Sequence, residues 1–182
     1  MGMREQKKEQ TRRRISDVAT QLFLERGYDA VTTAEVAEAA EVSPATLFNY
    51  FPAKEALVFD EDGALGNALV SAITARPAGT GVLDALRQAI LDGPYLRFAH
   101  DSAYRPFFDL IHSTPALSSY ARAMATRYER AIADAMRDMA SEAEAQAAAH
   151  YVVEALFAAQ RSAQPIETFN TLIDLFKTGF AR

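Results

Sequence analysis

The chain contains no cysteine. That one absence removes disulfides, thiolate metal ligands and thiol nucleophiles together. Histidine is scarce as well, and His100, His112 and His150 are scattered, so no metal site is expected. No run of apolar residues approaches the roughly 18 to 20 that a membrane-spanning helix requires. The polar, basic N-terminus lacks the apolar stretch of a secretory signal. A cytoplasmic location with no membrane partner is the expectation. Glu-x-x-His pairs of a di-metal bundle, a nucleophile elbow, a phosphate loop and a zinc motif are all missing. An enzyme built on a helical bundle is therefore the weakest reading, and no cofactor is called for.

What is present is 182 residues, 49% hydrophobic and 24% charged, a balance suited to a packed domain or a small module joined to a larger one. The formal net charge of −5 hides an asymmetry. Through Arg14, six basic side chains (Arg4, Lys7, Lys8, Arg12, Arg13, Arg14) stand against Glu5 and Glu9, a local +4 that leaves −9 on the remainder. A basic arm on an acidic body suits a polyanionic partner. Taken alone, it is equally the pattern of a solvated helix end.

Periodicity predicts helices throughout and no convincing strand. The first runs from about Glu9 to Arg26, with Ile15, Val18, Ala19, Leu22 and Phe23 on one face and Gly27 as its stop. Thr32 or Thr33 caps a short second helix whose Val36, Ala37 and Ala40 face inward while Glu35, Glu38 and Glu41 face water. Ser43 caps a third, with Pro44 in its first turn and an end near Phe51, before Pro52. Lys54 to about Ile73 reads as one long helix, then residues 75–81 as a loop. Val82 to Leu91 is helical, and Gly93-Pro94 breaks the pattern before Tyr95 to Ala99. Pro106 to His112 follows, and Pro115 opens a long helix with a stripe of Leu117, Tyr120, Met124, Tyr128, Ile132, Met136 and Met139. Glu142 to Gln160 and Ile166 to Phe180 close the chain.

Thr33 to Phe51 has helix-turn-helix proportions, an arrangement that sets its second helix in the DNA major groove. Ordinary bundle corners share that geometry, so residue identities must decide. Thr11-Arg12-Arg13-Arg14-Ile15, Leu22-Phe23-Leu24-Glu25-Arg26-Gly27-Tyr28, Thr32-Thr33, Val36-Ala37 and the run from Val42 to Leu57 resemble the N-terminal domain of TetR-family regulators. The resemblance implies an all-α chain with a three-helix DNA-binding domain over residues 1–53 and a helical effector-binding and dimerisation domain over 54–182. It implies a transcriptional repressor, a homodimer on double-stranded operator DNA, released by a small-molecule effector. A regulator without an effector, constitutive or controlled by a protein partner, is the alternative.

By the same resemblance Pro44 and Ala45 meet bases, with apolar surface suited to thymine methyl groups. Thr46, Tyr50 and Lys54 hold the phosphate backbone, Ser43 leads the helix, and Thr33 adds a donor from the start of the second helix. Asn49 reads adenine or holds a phosphate, and Phe48 is open between packing and base contact. Leu47 and Phe51 read as core. Two features depart from the family pattern. Glu41 stands in the turn where many relatives have glycine, so a positive φ is expected there. The third helix carries no arginine or lysine, which leaves guanine contacts to Arg12, Arg13, Arg14 or the arm.

For the effector, the resemblance implies a cavity among the middle helices. The candidates are Phe98, Phe107, Phe108, Ile111, Tyr128 and Phe157, with His112 or Arg105 as polar anchor. Each aromatic is by default core, and His112 by default a helix-end residue bonded to backbone. The last two helices resemble the family's dimer element. Ala147, Ala155, Ala158 and Ala159 permit close approach, and Ile166, Phe169, Leu172, Ile173 and Phe176 form an apolar face.

Overall fold

In a computed structural model that describes residues 2–60 and 62–178, every regular element is helical. Helix α1 spans Met3–Arg26, starting earlier than the predicted Glu9. The cause is local: the Gly2 amide donates to the Glu5 carboxylate at 3.0 Å, and Glu9 pairs with Arg13 one turn on at 3.0 Å. Acidic side chains in a first turn also complement the helix dipole. The basic N-terminal segment is therefore helix from Met3 onward, not an extended arm. Gly27 ends it at φ 84°, where its amide bonds the Phe23 carbonyl.

Helices α2 (Thr33–Ala39) and α3 (Pro44–Tyr50) pack in sequence against α1. Their shared core joins Ile15, Ala19, Phe23, Val36, Ala37, Ala40, Leu47 and Phe51, all essentially without solvent access. Each large apolar member contributes about 1.5–3 kcal/mol by leaving water. The inward faces predicted from periodicity are the ones buried.

The segment after Phe51 differs from expectation. Instead of one helix from Lys54 to Ile73, a single 3-10 turn (Glu55–Leu57) precedes a separate helix α4 (Asp62–Thr74). Remote donors account for the break. Ser16 donates its hydroxyl to the Leu57 carbonyl at 2.7 Å, and Arg12 donates Nη2 and Nε to the Asp60 carbonyl at 3.0 and 3.3 Å. Carbonyls held this way from α1 do not serve an uninterrupted helical ladder. Ala56, Leu57 and Val58 are buried in the same core as α1 to α3.

The chain divides into two compact units. The first holds the described residues through Asp62 together with Pro106–Ala121, which brings in most of α7 (Arg105–Ser113) and the start of α8 (Pro115–Ala135). Within it Ile111 and Leu117 join the core, and the Phe59 and Tyr120 rings stack at 5.4 Å. The second holds Gly63–Arg105 and the chain from Arg122 on. It contains α5 (Val82–Asp92), α6 (Tyr95–His100), the rest of α8, α9 (Glu142–Gln160) and α10 (Pro165–Thr178). There α10 packs on α9, α6 and α5. The break at Gly93 is steric as well as local, since a Cβ there would stand 2.6 Å from the Tyr95 ring.

Met139 leaves the predicted stripe. Helix α8 ends at Ala135, the backbone tightens through Met139 N–H to the Met136 carbonyl at 2.8 Å, and Met139 is 42% exposed. Helix α9 has the predicted bounds, secured by Ser141, whose hydroxyl accepts from the Glu144 amide while the Glu144 carboxylate takes the Ser141 amide. Phe180, the predicted end of the last helix, lies outside the described residues.

Candidate nucleic-acid interface

The unit around α3 is held by three local devices. At the head of α2, Thr32 rather than Thr33 is the cap. Its hydroxyl accepts from the Glu35 amide at 3.2 Å, and the Glu35 carboxylate accepts from the Thr32 amide and hydroxyl, each at 2.8 Å. Arg26 adds a third contact to that carboxylate at 2.7 Å. The Thr32 amide, then Arg26, holds the Glu35 carboxyl down to about 2. Glu35 therefore locks α2 to the end of α1 instead of merely facing water.

The turn between α2 and α3 is the second device. Glu41 adopts φ 53°, the expected left-handed conformation, while the Glu41 amide bonds the Glu38 carbonyl and the Val42 amide bonds the Ala37 carbonyl. A side chain in this region costs about 1–2 kcal/mol relative to right-handed backbone, and the Arg14 pair at 4.0 Å with an 85% exposed Glu41 offsets little. Glu41→Gly is expected to raise stability by about 0.5–1 kcal/mol, the relieved strain exceeding the added chain entropy. Denaturant unfolding at constant m-value measures it.

The third device is Ser43, which caps α3 by accepting from the Thr46 amide at 3.1 Å, while the Ser43 and Thr46 hydroxyls share a bond of 2.8 Å. With Leu47 and Phe51 at 0% exposure anchoring one side, the opposite side of α3 presents Pro44, Ala45, Phe48 and Asn49 to solvent. Phe48, open between packing and surface, is 48% exposed. Thr33, Thr46 and Tyr50 are half-buried at the margins of this face. An open cleft of about 440 Å³ lies between the start of α1 and the end of α3, lined by Glu5, Lys8, Glu9, Arg12, Asn49 and Tyr50.

Two basic residues have other duties than expected. Arg12 donates to the Tyr50 carbonyl at 2.8 Å as well as to Asp60, and its guanidinium lies 4.4 Å over the Phe51 ring. It fastens α1 to the end of α3 and is not held out for a guanine. Lys54 donates Nζ to the Tyr28 carbonyl at 2.5 Å and sits 4.0 Å above the Tyr28 ring. Burial, then the neighbouring Glu55, pushes the Tyr28 phenol up, so it stays neutral. Lys54 thus braces the turn after α1 with one of its three N–H donors.

The effector candidates are divided between the units. Phe107, Phe108, Ile111 and His112 belong to the first, where Ile111 is core and His112 is exposed at the helix end. Phe98, Arg105, Tyr128 and Phe157 belong to the second. There Tyr128 is buried, Phe157 half-buried, Arg105 exposed, and Phe98 stacks on Tyr104 at 4.6 Å with 39% exposure. Among the dimer candidates, Phe169, Ile173 and Ala155 are buried inside the unit, against the expectation of an interface. Phe169 and Ile173 lie on α10, which packs on α9, α6 and α5, and Ala155 lies on α9. Ala147 is exposed, Ala158 and Leu172 are half-buried, and Phe176 stacks on Tyr151 at 4.3 Å.

One grouping was missed by the sequence reading. Glu129 on α8 and His150 and Glu154 on α9 bring three potential ligand atoms within 4.8 Å of one another. The legible signal was His150 and Glu154 one helical turn apart. The third member comes from 21 residues upstream of His150.

A short helix, a left-handed turn and a capped helix with one exposed face, following a longer helix, define a helix-turn-helix module within the first unit. Residues 15–60 match the model of bacterial regulatory proteins of the tetR family. The chain is 33% identical over 123 residues to the HTH-type transcriptional regulator TcmR of Streptomyces glaucescens, a match covering 64% of this chain and about half, 54%, of that relative. Its fold is similar to that of SmeT in its triclosan complex, with TM-score 0.62, 17% identity and coverage of 92% of this chain and 90% of the other. It is also similar to Thermus thermophilus FadR, a TetR-family repressor in complex with lauroyl-CoA, with TM-score 0.54, 23% identity and coverage of 94% and 95%. The likeness to tetR-family regulators is thus carried by the helix-turn-helix module at residues 15–60, and the chain spans about half the length of TcmR.

Proposed function

We propose that this chain is a cytoplasmic transcriptional repressor that binds operator DNA as a homodimer and leaves it when a small molecule binds. The observation that carries the reading is the exposed face of α3, where Pro44, Ala45, Phe48 and Asn49 project opposite the buried Leu47 and Phe51. Apolar surface and a carboxamide, with no cation on the helix, suit thymine methyl groups and adenine edges better than guanine. DNA reading is assigned to residues 1–53, and effector binding and dimerisation to 54–182. Ala147, Ala158, Leu172 and Phe176 supply the dimer contacts. The effector is proposed to lie in the second unit near Phe98, Tyr128 and Phe157, and to present apolar surface to them.

Fluorescence anisotropy with DNA from upstream of the chain's own gene tests this reading. Specific affinity in the range of about 10⁻⁸ to 10⁻¹¹ M at physiological salt is expected, with two half-sites per dimer. Asn49→Ala is expected to relax preference at one base pair in each half-site, by about 1–3 kcal/mol, whereas Tyr50→Ala weakens all sequences alike. A uniform loss in Asn49→Ala moves that side chain to the phosphate. An effector must weaken DNA binding by the factor by which DNA weakens its own binding. Calorimetric titration with and without operator measures both.

A further inference from the structure

We propose that Glu129, His150 and Glu154 form a binding site for a divalent transition metal of the zinc class. The inference is independent of the DNA-binding reading. The three side chains lie within the second unit, one on α8 and two on α9, with their ligand atoms within 4.8 Å of one another. Glu129 is the fixed member, 26% exposed on α8, with Oε1 3.0 Å from His150 Nδ1. His150, 67% exposed, and Glu154, also exposed, stand one turn apart on α9, so both can be approached from solvent.

The donor set fits this ion class. One imidazole nitrogen and two carboxylate oxygens are borderline ligands that suit zinc, and no thiolate is present to favour softer ions. Around a tetrahedral ion, ligands about 2.1 Å from the metal stand about 3.4 Å apart. Glu129 and His150, hydrogen-bonded at 3.0 Å, need to part by only a few tenths of an ångström to admit an ion, and the exposed Glu154 closes the remaining gap by side-chain rotation. Three protein ligands leave the fourth position to water. Two carboxylates offset the ion's charge. The i, i+4 spacing on α9 sets Glu154 beside His150, and Glu129 from α8 adds the third donor atom at the same place. A bound ion would tie α8 to α9 within the second unit.

The test uses the full-length chain without a histidine tag, stripped with chelator and titrated with zinc chloride by calorimetry. One ion per chain is expected, together with a zinc-dependent rise in melting temperature. His150→Ala and Glu154→Gln are expected to weaken binding by at least about tenfold each and to abolish the thermal shift. Both positions are exposed, so the metal-free variants should melt like the parent. His112→Ala serves as the control that leaves zinc binding unchanged. No saturable binding to the parent chain, or parental affinity in both ligand variants, overturns the proposal.

Discussion

Phe169→Glu is expected to unfold the second unit outright. The ring has no solvent exposure and sits where α10 meets α9, α6 and α5. Removing a buried phenylalanine costs about 3–5 kcal/mol. A buried unpaired carboxylate adds a penalty of several kcal/mol more, or takes up a proton at the expense of stability. Domains of ordinary stability hold about 5–15 kcal/mol in all. Circular dichroism should therefore show loss of helix and a melting transition moved below working temperature or gone. A variant that keeps its helix content and melting temperature but sediments as a monomer would return Phe169 to a subunit interface.

The same reasoning decides how the dimer must be probed. Phe176 stacks on Tyr151, whose hydroxyl bonds the Leu172 carbonyl at 2.9 Å, so a charge at Phe176 also disturbs internal packing. Ala147 is exposed on α9. If the proposed dimer forms there, Ala147→Glu is expected to separate subunits without emptying a core, which makes a monomer that still melts like the parent the informative outcome.

Much of the fold was written locally. Gly27, Ser43-Pro44 and Gly93-Pro94 each end or start a helix through their own backbone geometry, and the structure puts the boundaries beside them. The apolar periodicity of residues 15–51 identified Ile15, Ala19, Phe23, Val36, Ala37, Ala40, Leu47 and Phe51 of the first unit's core, to which Ile111 and Leu117 are added from elsewhere in the chain. What stayed hidden depends on partners far away in sequence. The break after Leu57 is made by Ser16 and Arg12, more than forty positions upstream, and helical periodicity over residues 54–73 carries no trace of them. Phe169 and Ile173 showed an apolar face, but periodicity does not say whether a face meets its own chain or another. Lys54 read as a DNA contact because its charge suits a phosphate. The nearby Tyr28 carbonyl and ring suit it as well, and that proximity exists only after folding. The Glu129, His150 and Glu154 grouping was invisible for the same reason.

Arg12 separates a structural role from a DNA-contacting one most cleanly, because the two roles respond differently to keeping the charge. Its guanidinium makes three bonds to two main-chain carbonyls, one from Tyr50 at the end of α3 and one from Asp60 beyond the 3-10 turn, while covering the Phe51 ring. Only a planar fork can do all of this at once. Hydrogen bonds from a charged donor and a cation–π contact at a half-buried site together contribute about 2–3 kcal/mol. Arg12→Ala is expected to lose that much stability and to weaken operator binding, since the end of α3 is no longer tied to α1. Arg12→Lys retains the positive charge but cannot bridge both carbonyls, so its melting temperature should fall most of the way toward that of Arg12→Ala. Operator affinity should follow the melting temperature rather than the charge, and the salt slope should stay near the parental value in both variants. If Arg12→Lys instead bound operator like the parent, while Arg12→Ala lost about one unit of salt slope with no change in melting, Arg12 would be a phosphate contact and its bonds within the fold incidental.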